Sequence, residues 1–328
     1  MPMINNFVIY GFLTTLLFYG ISSYESIFAE SNNNTDEYQF LNKFGGKGNE
    51  DGQMISPHSI DIDKNGNVYV TDTGNDRIQK YSSDGKFILN WGKEGDVNGE
   101  FDKLHDVYVD PSGKYVYTLE LINHRVQKFT NDGKFILKWG FEDTGGQGAK
   151  RTPHQLTVDS DGYVYLTDKN AHQILKFDEN GKFIQSYGSK GSTEGKFLEP
   201  HGIVFDSNNT MYVTDMKNSR VQVFDKDFNF KRQWGSFGNA SGQFSGTAPG
   251  IDLYEKEDLV FVVDKTSTNF QVFDENGKFI SKLGSKGKQD GQFNRPEDLA
   301  IDPEGNVFVA DTGNSRIQVF GNKNPSQK

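Results

Sequence analysis

The sequence of 328 residues contains no cysteine, which excludes disulfide bonds, thiolate metal sites and cysteine nucleophiles. It also lacks an excess of basic residues: 35 Lys and Arg stand against 45 Asp and Glu, so the formal net charge is −10. Nucleic acid is therefore not an expected partner, because binding phosphates requires clustered cations. Glycine, by contrast, is abundant: the 36 glycines exceed the usual share of about 7% and indicate many tight turns.

Charged side chains are missing from the first 24 residues, where the stretch from Phe7 to Ile21 is apolar except for threonine and glycine. This run is shorter than the roughly 20 apolar residues that a transmembrane helix needs, and it is typical of a secretion signal. We predict a signal peptide over residues 1–29, cleaved after Ala29, or an uncleaved anchor that tethers the protein to a membrane. Either way, the protein is expected outside the cytoplasm.

A polar segment follows the predicted leader. Residues 30–37 (ESNNNTDE) are predicted to form an unstructured spacer because they have no apolar side chain to bury. Three N-x-S/T sequons, at Asn33, Asn208 and Asn239, are compatible with an exported protein.

One pattern recurs along the rest of the chain. Its closing glycine is spaced by 47 to 49 residues and falls at Gly92, Gly140, Gly188, Gly235 and Gly284. An acidic residue after the second predicted strand keeps the same period, at Asp72, Glu120, Asp168, Asp215, Asp264 and Asp311. A period in the forties with four short alternating strands is typical of a propeller blade, which buries its faces only against neighbouring blades.

The first repeat shows the four strands, which we call a to d. They are predicted at His58–Ile62, Asn67–Thr71, Arg77–Tyr81 and Lys86–Trp91, separated by turns rich in Asp, Asn and Gly.

The sixth repeat, Phe293–Phe320, ends after strand c. Residues 38–45 (YQFLNKFG) match the pattern of strand d and are predicted to complete that blade, which leaves no open sheet edge. The sequence therefore predicts an all-β, six-bladed β-propeller over residues 38–321, closed by its N-terminal strand, and a disordered tail over residues 322–328.

The units VYVTDTGNDRIQKY and VFVADTGNSRIQVF resemble NHL repeats, and the resemblance covers about residues 38–321. It implies a six-bladed propeller. It leaves the function open, since the family includes RNA-binding modules, protein-binding modules and an amidating lyase.

All six histidines are predicted on one face, the top face, at which strand a begins. His124 and His172 lie in turns between strands b and c, whereas four others begin strand a in blades 1 to 4. Because strand a is innermost in a propeller, the positions that ring the mouth of the central channel are His58, His105, His154, His201, Pro249 and Glu297.

Imidazole nitrogen and carboxylate oxygen suit Zn²⁺ and similar divalent ions. The candidate metal ligands are His58, His105, His154, His201 and Glu297, and zinc or another divalent metal is the candidate cofactor. In the alternative interpretation, the histidines bond to the backbone of the next blade and only pack the rim.

Blade 3 (PHQLTVDSDGYVYLTDKNAHQILKFDENGK) is similar to a blade of peptidyl-α-hydroxyglycine α-amidating lyase, and this resemblance maps His154 onto a zinc-binding position. The zinc histidines of that family come from alternating blades, which correspond here to His154, Pro249 and His58. The middle ligand is missing. The family's catalytic Tyr and Arg are also unmatched, because blade 4 has DMKNSR and blade 5 has DKTSTN. The resemblance therefore does not favour the specific lyase reaction.

Acid–base pairs bracket the turn between strands b and c in four blades: Asp72/Arg77, Glu120/Arg125, Asp215/Arg220 and Asp311/Arg316. Structural ion pairing is the favoured interpretation and ligand binding the alternative. The candidate ligand-binding residues of the top face are Arg77, Arg125, His124, His172, Arg220 and Arg316. Blades 3 and 5 have Gln173 and Asn269 at the arginine position, and Trp91, Trp139 and Trp234 are predicted to pack between blades.

Taken together, these features predict an exported, monomeric propeller that binds a protein, peptide or glycan on its top face without catalysis. The alternative is a metal-dependent lyase that uses the histidine ring.

Overall fold

The structure is a computed structural model that describes residues 38–141, 144 and 151–323. The predicted signal peptide or anchor (1–29), the spacer (30–37) and residues 324–328 of the predicted tail lie outside the described residues. Within the described ranges, none of the helices has the length and apolar character needed to cross a membrane.

The chain forms six antiparallel sheets of four strands each, and every sheet is one blade of a ring. Blades 1 to 3 consist of β2 Pro57–Ile62, β3 Val68–Asp72, β4 Arg77–Tyr81, β5 Phe87–Trp91, β6 Leu104–Val109, β7 Tyr115–Glu120, β8 Arg125–Thr130, β9 Phe135–Gly140, β10 Pro153–Val158, β11 Val164–Asp168, β12 Gln173–Phe177 and β13 Phe183–Tyr187.

Blades 4 to 6 repeat this order. They consist of β14 Pro200–Phe205, β15 Met211–Asp215, β16 Arg220–Phe224, β17 Phe230–Trp234, β18 Ile251–Tyr254, β19 Leu259–Asp264, β20 Asn269–Asp274, β21 Phe279–Leu283, β24 Pro296–Ile301, β25 Val307–Asp311, β26 Arg316–Asn322 and β1 Tyr38–Gly45. Two short strands, β22 Ser285–Lys286 and β23 Gln292–Phe293, pair within the loop before blade 6. Single-turn 3-10 helices lie at Thr73–Asn75, Met216–Asn218, Glu255–Glu257 and Thr312–Asn314.

The N-terminal strand closes the ring. Strand β1 pairs antiparallel with β26, so that Tyr38 lies opposite Asn322 and Gly45 opposite Arg316. The Tyr38 ring is 3% exposed and makes edge contacts with Phe261 and Phe270 of blade 5. The prediction that residues 38–45 complete the last blade is confirmed.

The hydrophobic core is divided into six clusters, one at each interface between neighbouring blades. Between blades 2 and 3, for example, Tyr117 and Val126 pack with Leu156 and Leu166. Alternation along each strand supplies apolar side chains to both faces of every sheet, which a ring of stacked blades requires.

The three tryptophans lie at these interfaces, as the sequence predicts. Each one lies near the end of strand d and covers a glycine in the turn between strands c and d of the next blade. A Cβ built on Gly181 would lie 2.3 Å from ring atoms of Trp139, and Gly181 has φ +83°. Because glycine has no Cβ, it can adopt the left-handed conformation of this turn and also leaves room for the indole ring.

Strand a begins with a β-bulge in blades 1, 2, 3, 4 and 6, where the register with strand b shifts. Threonine hydroxyls of strand b accept the freed backbone N–H groups: Thr71 Oγ1 accepts from Ser59, and Thr167 Oγ1 accepts from Gln155. Bulges re-aim side chains locally, and here they lie at the residues that surround the channel mouth.

Candidate functional site at the channel mouth

Four imidazoles gather at the top end of the channel, each from strand a of a different blade. Ring centroids lie 3.9 Å apart for His58 and His105, 4.5 Å for His105 and His154, and 3.5 Å for His154 and His201. One ring nitrogen each from His58, His105 and His154 can be chosen so that all three lie within 4.8 Å of one another. The sequence correctly placed these residues on one rim, and the structure shows that three of them converge.

The cluster is built from neutral imidazoles. Burial is the main cause that lowers the pKa of His58, and it holds the pKa values of His105, His154 and His201 well below the usual range. Neutral imidazole has a nitrogen lone pair that can bind a metal ion. Among the described residues, Nε2 of His105 and both ring nitrogens of His201 are buried without a hydrogen-bond partner.

Glu297 provides the carboxylate of the rim and is 3% exposed. Its Oε2 lies 4.0 Å from Nε2 of His58, and its Oε1 lies 2.5 Å from Nζ of Lys265 and 3.5 Å from Nη2 of Arg295. This carboxylate is therefore shared between one imidazole and two cations.

A second layer of polar side chains lies below the histidines, at the next position of strand a. Oγ of Ser59 is 2.6 Å from Oδ1 of Asp106 and 2.9 Å from Oδ2 of Asp298. Backbone N–H groups of Leu156 and Ile60 donate to these two carboxyls. Since a hydroxyl has one proton, one of the two carboxyls must be protonated and donate to Ser59. Burial raises the pKa of Asp106 to about 7 and holds the pKa of Asp298 well above its usual range.

The two layers enclose a narrow cavity lined by His58, Ser59, Asp106, His154, Gln155, Pro249, Glu297 and Asp298. Its volume of about 10 Å³ is room for one water molecule or a small ion. The repeat pattern did not identify the four polar residues of the second layer, Ser59, Asp106, Gln155 and Asp298. The sequence does indicate them, because each directly follows a residue of the ring. At this position the six repeats have Ser, Asp, Gln, Gly, Gly and Asp.

Two further carboxyls lie deeper along strand a. Asp61 accepts a hydrogen bond from the backbone N–H of Val109 in the next blade, and Asp252 accepts one from that of Ile301. Burial raises the pKa of Asp252 to about 7 and that of Asp61 well above its usual range. These side chains connect neighbouring blades through the backbone.

The two remaining histidines are separate from the cluster. His172 accepts a hydrogen bond at Nδ1 from the backbone N–H of Glu199. The ring of His124 lies 6.1 Å from that of Phe141. Both have positive φ in the turn between strands b and c, which is the position that the sequence predicts.

The arginines of strand c are held within their own blades. Arg125 donates from Nε to Glu120 and from its other nitrogens to carbonyls of the preceding loop. Three more arginines bind the acid of their blade from Nε in the same way: Arg77, Arg220 and Arg316. This geometry favours the structural interpretation of the four pairs.

Blade 3 supplies its cation from an unexpected place. Nη1 of Arg151 lies 3.0 Å from Oδ2 of Asp168 and 3.2 Å from Oε1 of Gln173. Arg151 belongs to the loop before strand a, outside the recurring motif, so the repeat pattern gave no signal for it. In blade 5, Asp264 instead accepts hydrogen bonds from Ser245 and from the backbone N–H of Ser267.

This architecture defines a six-bladed β-propeller. A family model described as NHL repeat matches residues 55–81 and 293–320, and a model described as 6-bladed beta-propeller matches residues 152–234. The chain is therefore a six-bladed β-propeller that contains NHL repeats at these two segments. No curated protein sequence matches the chain.

Several solved structures share this fold. A streptogramin B lyase superposes with a TM-score of 0.59 at 15% identity, covering 87% of this chain and 98% of the lyase. A catalytically inactive virginiamycin B lyase from Staphylococcus aureus with quinupristin superposes with a TM-score of 0.58 at 15% identity, covering 87% of this chain and 99% of the lyase. A protein of unknown function from Bacteroides thetaiotaomicron superposes with a TM-score of 0.64 at 16% identity, covering 87% of this chain and 75% of that protein. At these identities the similarity establishes the fold alone.

Proposed function

We propose that this propeller is an exported binding module that holds a divalent transition-metal ion at its channel mouth and uses it to bind a ligand on the top face. The observation that carries the proposal is the convergence of ring nitrogens from His58, His105 and His154 within 4.8 Å. Zinc binds imidazole nitrogen at about 2.0–2.1 Å, so small ring rotations would bring all three nitrogens to one ion.

The burial of the rings supports the same proposal. A buried polar atom without a partner costs about 1–3 kcal/mol, and Nε2 of His105 is such an atom. A bound metal ion would satisfy it. Three protein ligands leave at least one coordination position for a ligand from outside, as in open zinc sites. His201 and Glu297 are the residues of the rim that could occupy further positions.

The ligand class within this proposal is a protein, peptide or glycan that reaches the top face. Export depends on residues 1–29, which lie outside the described residues. N-terminal sequencing of the protein recovered from its native cells would show whether the chain begins after Ala29 or retains the leader.

A metal-dependent lyase is the second candidate because it would use the same imidazoles. Pro249 lines the cavity at the position where the amidating-lyase pattern requires a histidine. In this chain the cluster instead takes His105 from blade 2, which lies between the blades of His58 and His154. A lyase would therefore need a ligand arrangement different from that family's.

Metal binding can be tested by isothermal titration of the metal-free full chain with Zn²⁺ and by metal analysis after dialysis. We expect one tightly bound ion per chain in the wild type and its loss in His105→Ala. The matched control is His124→Asn, on the same face but outside the cluster, because asparagine tolerates the left-handed backbone there. Equal zinc affinity in wild type and His105→Ala would overturn the proposal.

A further inference from the structure

The channel mouth of this acidic protein is surrounded by cations. Five blades place a Lys or Arg either in the loop before strand a or in the turn between strands b and c: Lys103, Lys169, Lys217, Lys265 and Arg295. Each acts electrostatically on at least one histidine of the cluster. The whole chain has a net charge of −10, so this concentration of positive charge is local.

Two carboxylates of the rim pair with three of these five cations. Glu297 faces both Lys265 and Arg295, so one carboxylate serves two cations. Glu199 serves Lys169 at 3.6 Å. Below them, the carboxyls of Asp106 and Asp298 are already engaged by Ser59 and by backbone N–H groups.

Glu297 also shows which chemical group this environment accepts. Its carboxylate lies between an ammonium, a guanidinium and an imidazole, at 2.5, 3.5 and 4.0 Å respectively. Arg295 is two-thirds exposed and Lys265 about one-third exposed, so both can donate to a second oxyanion that arrives from solvent. Hydrogen bonds from cations to carboxylate or phosphate are stronger than neutral ones.

A divalent ion on three neutral imidazoles would keep both of its positive charges. We infer that the ligand of the mouth presents an oxyanion, a carboxylate or phosphate group, which completes the coordination of the metal and accepts hydrogen bonds from Lys265 and Arg295. This inference rests on the proposed function and narrows its ligand class. It places the anion on the side of blades 5 and 6, where Pro249 offers no metal-binding atom.

The test uses the full chain loaded with Co²⁺, whose visible spectrum reports on its ligands. The probes are acetate and methylphosphonate, with uncharged acetamide as the control ligand. We expect both anions to change the spectrum and acetamide to leave it unchanged. The anion that binds with the higher affinity indicates whether the ligand presents a carboxylate or a phosphate group.

Variants connect the anion to the named residues. Lys265→Gln and Arg295→Gln are each expected to weaken anion binding about tenfold, as the loss of one charge-assisted hydrogen bond predicts. Glu297→Gln is expected to strengthen it, because a competing carboxylate is removed. Lys288→Gln is the matched control, since it removes an exposed charge from the loop between strands d and a.

The two proposals fail in different ways. If Co²⁺ binds but neither anion affects its spectrum, or if acetamide binds as well as acetate, the anion inference is wrong and the metal site stands. Equal anion affinity in wild type, Lys265→Gln and Arg295→Gln would also overturn the inference. If Co²⁺ does not bind to the wild type, the proposed function fails and the inference fails with it.

Discussion

Arg151 and Asp168 form the buried ion pair of blade 3, with Nη1 of the first 3.0 Å from Oδ2 of the second. Four other blades build the same pair with an arginine from strand c. In these five blades the carboxylate at the end of strand b is paired with an arginine, and the position that supplies this arginine varies. Blade 5 differs, because Asp264 accepts hydrogen bonds from Ser245 and Ser267 instead.

Replacing Arg151 with Gln is expected to lower the free energy of unfolding by about 3–5 kcal/mol, because it leaves the buried Asp168 uncompensated. Urea denaturation measures the change. Adding Gln173→Arg, which puts the cation where other blades have it, is expected to recover most of the loss. A double variant no more stable than Arg151→Gln would show that the two positions are not equivalent.

Gly181→Ala is expected to destabilise the protein more than Gly162→Ala. Both glycines have positive φ, but a Cβ at Gly181 meets the Trp139 ring, whereas one at Gly162 meets nothing within 4 Å. Backbone strain alone costs roughly 1–2 kcal/mol, and the steric clash adds about 1–3 kcal/mol. Comparing the thermal denaturation of the two variants separates the cost of the steric clash from that of the backbone strain. Equal losses would mean that the indole moves aside freely.

Closure by β1 can be tested by truncation. A chain that begins at residue 38 keeps every pair between β1 and β26, and we expect its melting temperature to match that of the full chain. A chain that begins at residue 46 lacks the outer strand of blade 6 and exposes Phe320 and its edge. We expect it to aggregate, which light scattering would detect. A soluble chain with an unchanged melting temperature would contradict this role of the strand.

The deep carboxyl of Asp252 predicts a pH effect. Its folded pKa of about 7 exceeds the usual value of 3.8, so the folded state binds the proton more tightly and stability falls as pH rises through this range. Asp252→Asn does not ionise. Between pH 5 and pH 9, its stability relative to the wild type should therefore rise by about 3 kcal/mol.

Urea denaturation at several pH values gives this difference. Exposed Asp227→Asn is the control and should stay parallel to the wild type. Histidines with lowered pKa values affect both proteins alike, favouring unfolding as pH falls through their usual pKa, so they cancel in the comparison. A relative stability that does not change with pH would contradict a raised pKa at Asp252.

The sequence predicted the fold well because the repeat encodes it. A period of 47 to 49 residues fixes strand order, and a missing fourth strand in the last repeat identified residues 38–45 as its replacement. The same logic placed His58, His105, His154 and His201 on one rim, since each holds the same position in its repeat.

Contacts outside the repeat were harder to predict. Arg151 lies in a loop whose path the repeat period does not determine. No sequence pattern therefore predicted its pairing with Asp168. The Ser59, Asp106 and Asp298 network joins three blades around the channel, and its distances depend on bulges that alternation does not reveal. Similarly, spacing could not show which of the four imidazoles converge.

The pairing of Tyr38 with Asn322 also has a consequence for how the protein is made. Of the 26 strands that the structure describes, a ribosome releases β1 first and β26 last, so β1 has no partner until the other strands have been made. If the chain crosses a membrane from its N-terminus, β1 arrives on the far side alone and must stay unpaired while five blades form behind it. Contacts between distant parts of a chain slow folding and expose unpaired strands to aggregation. The strand that is made first is therefore among the last to be paired.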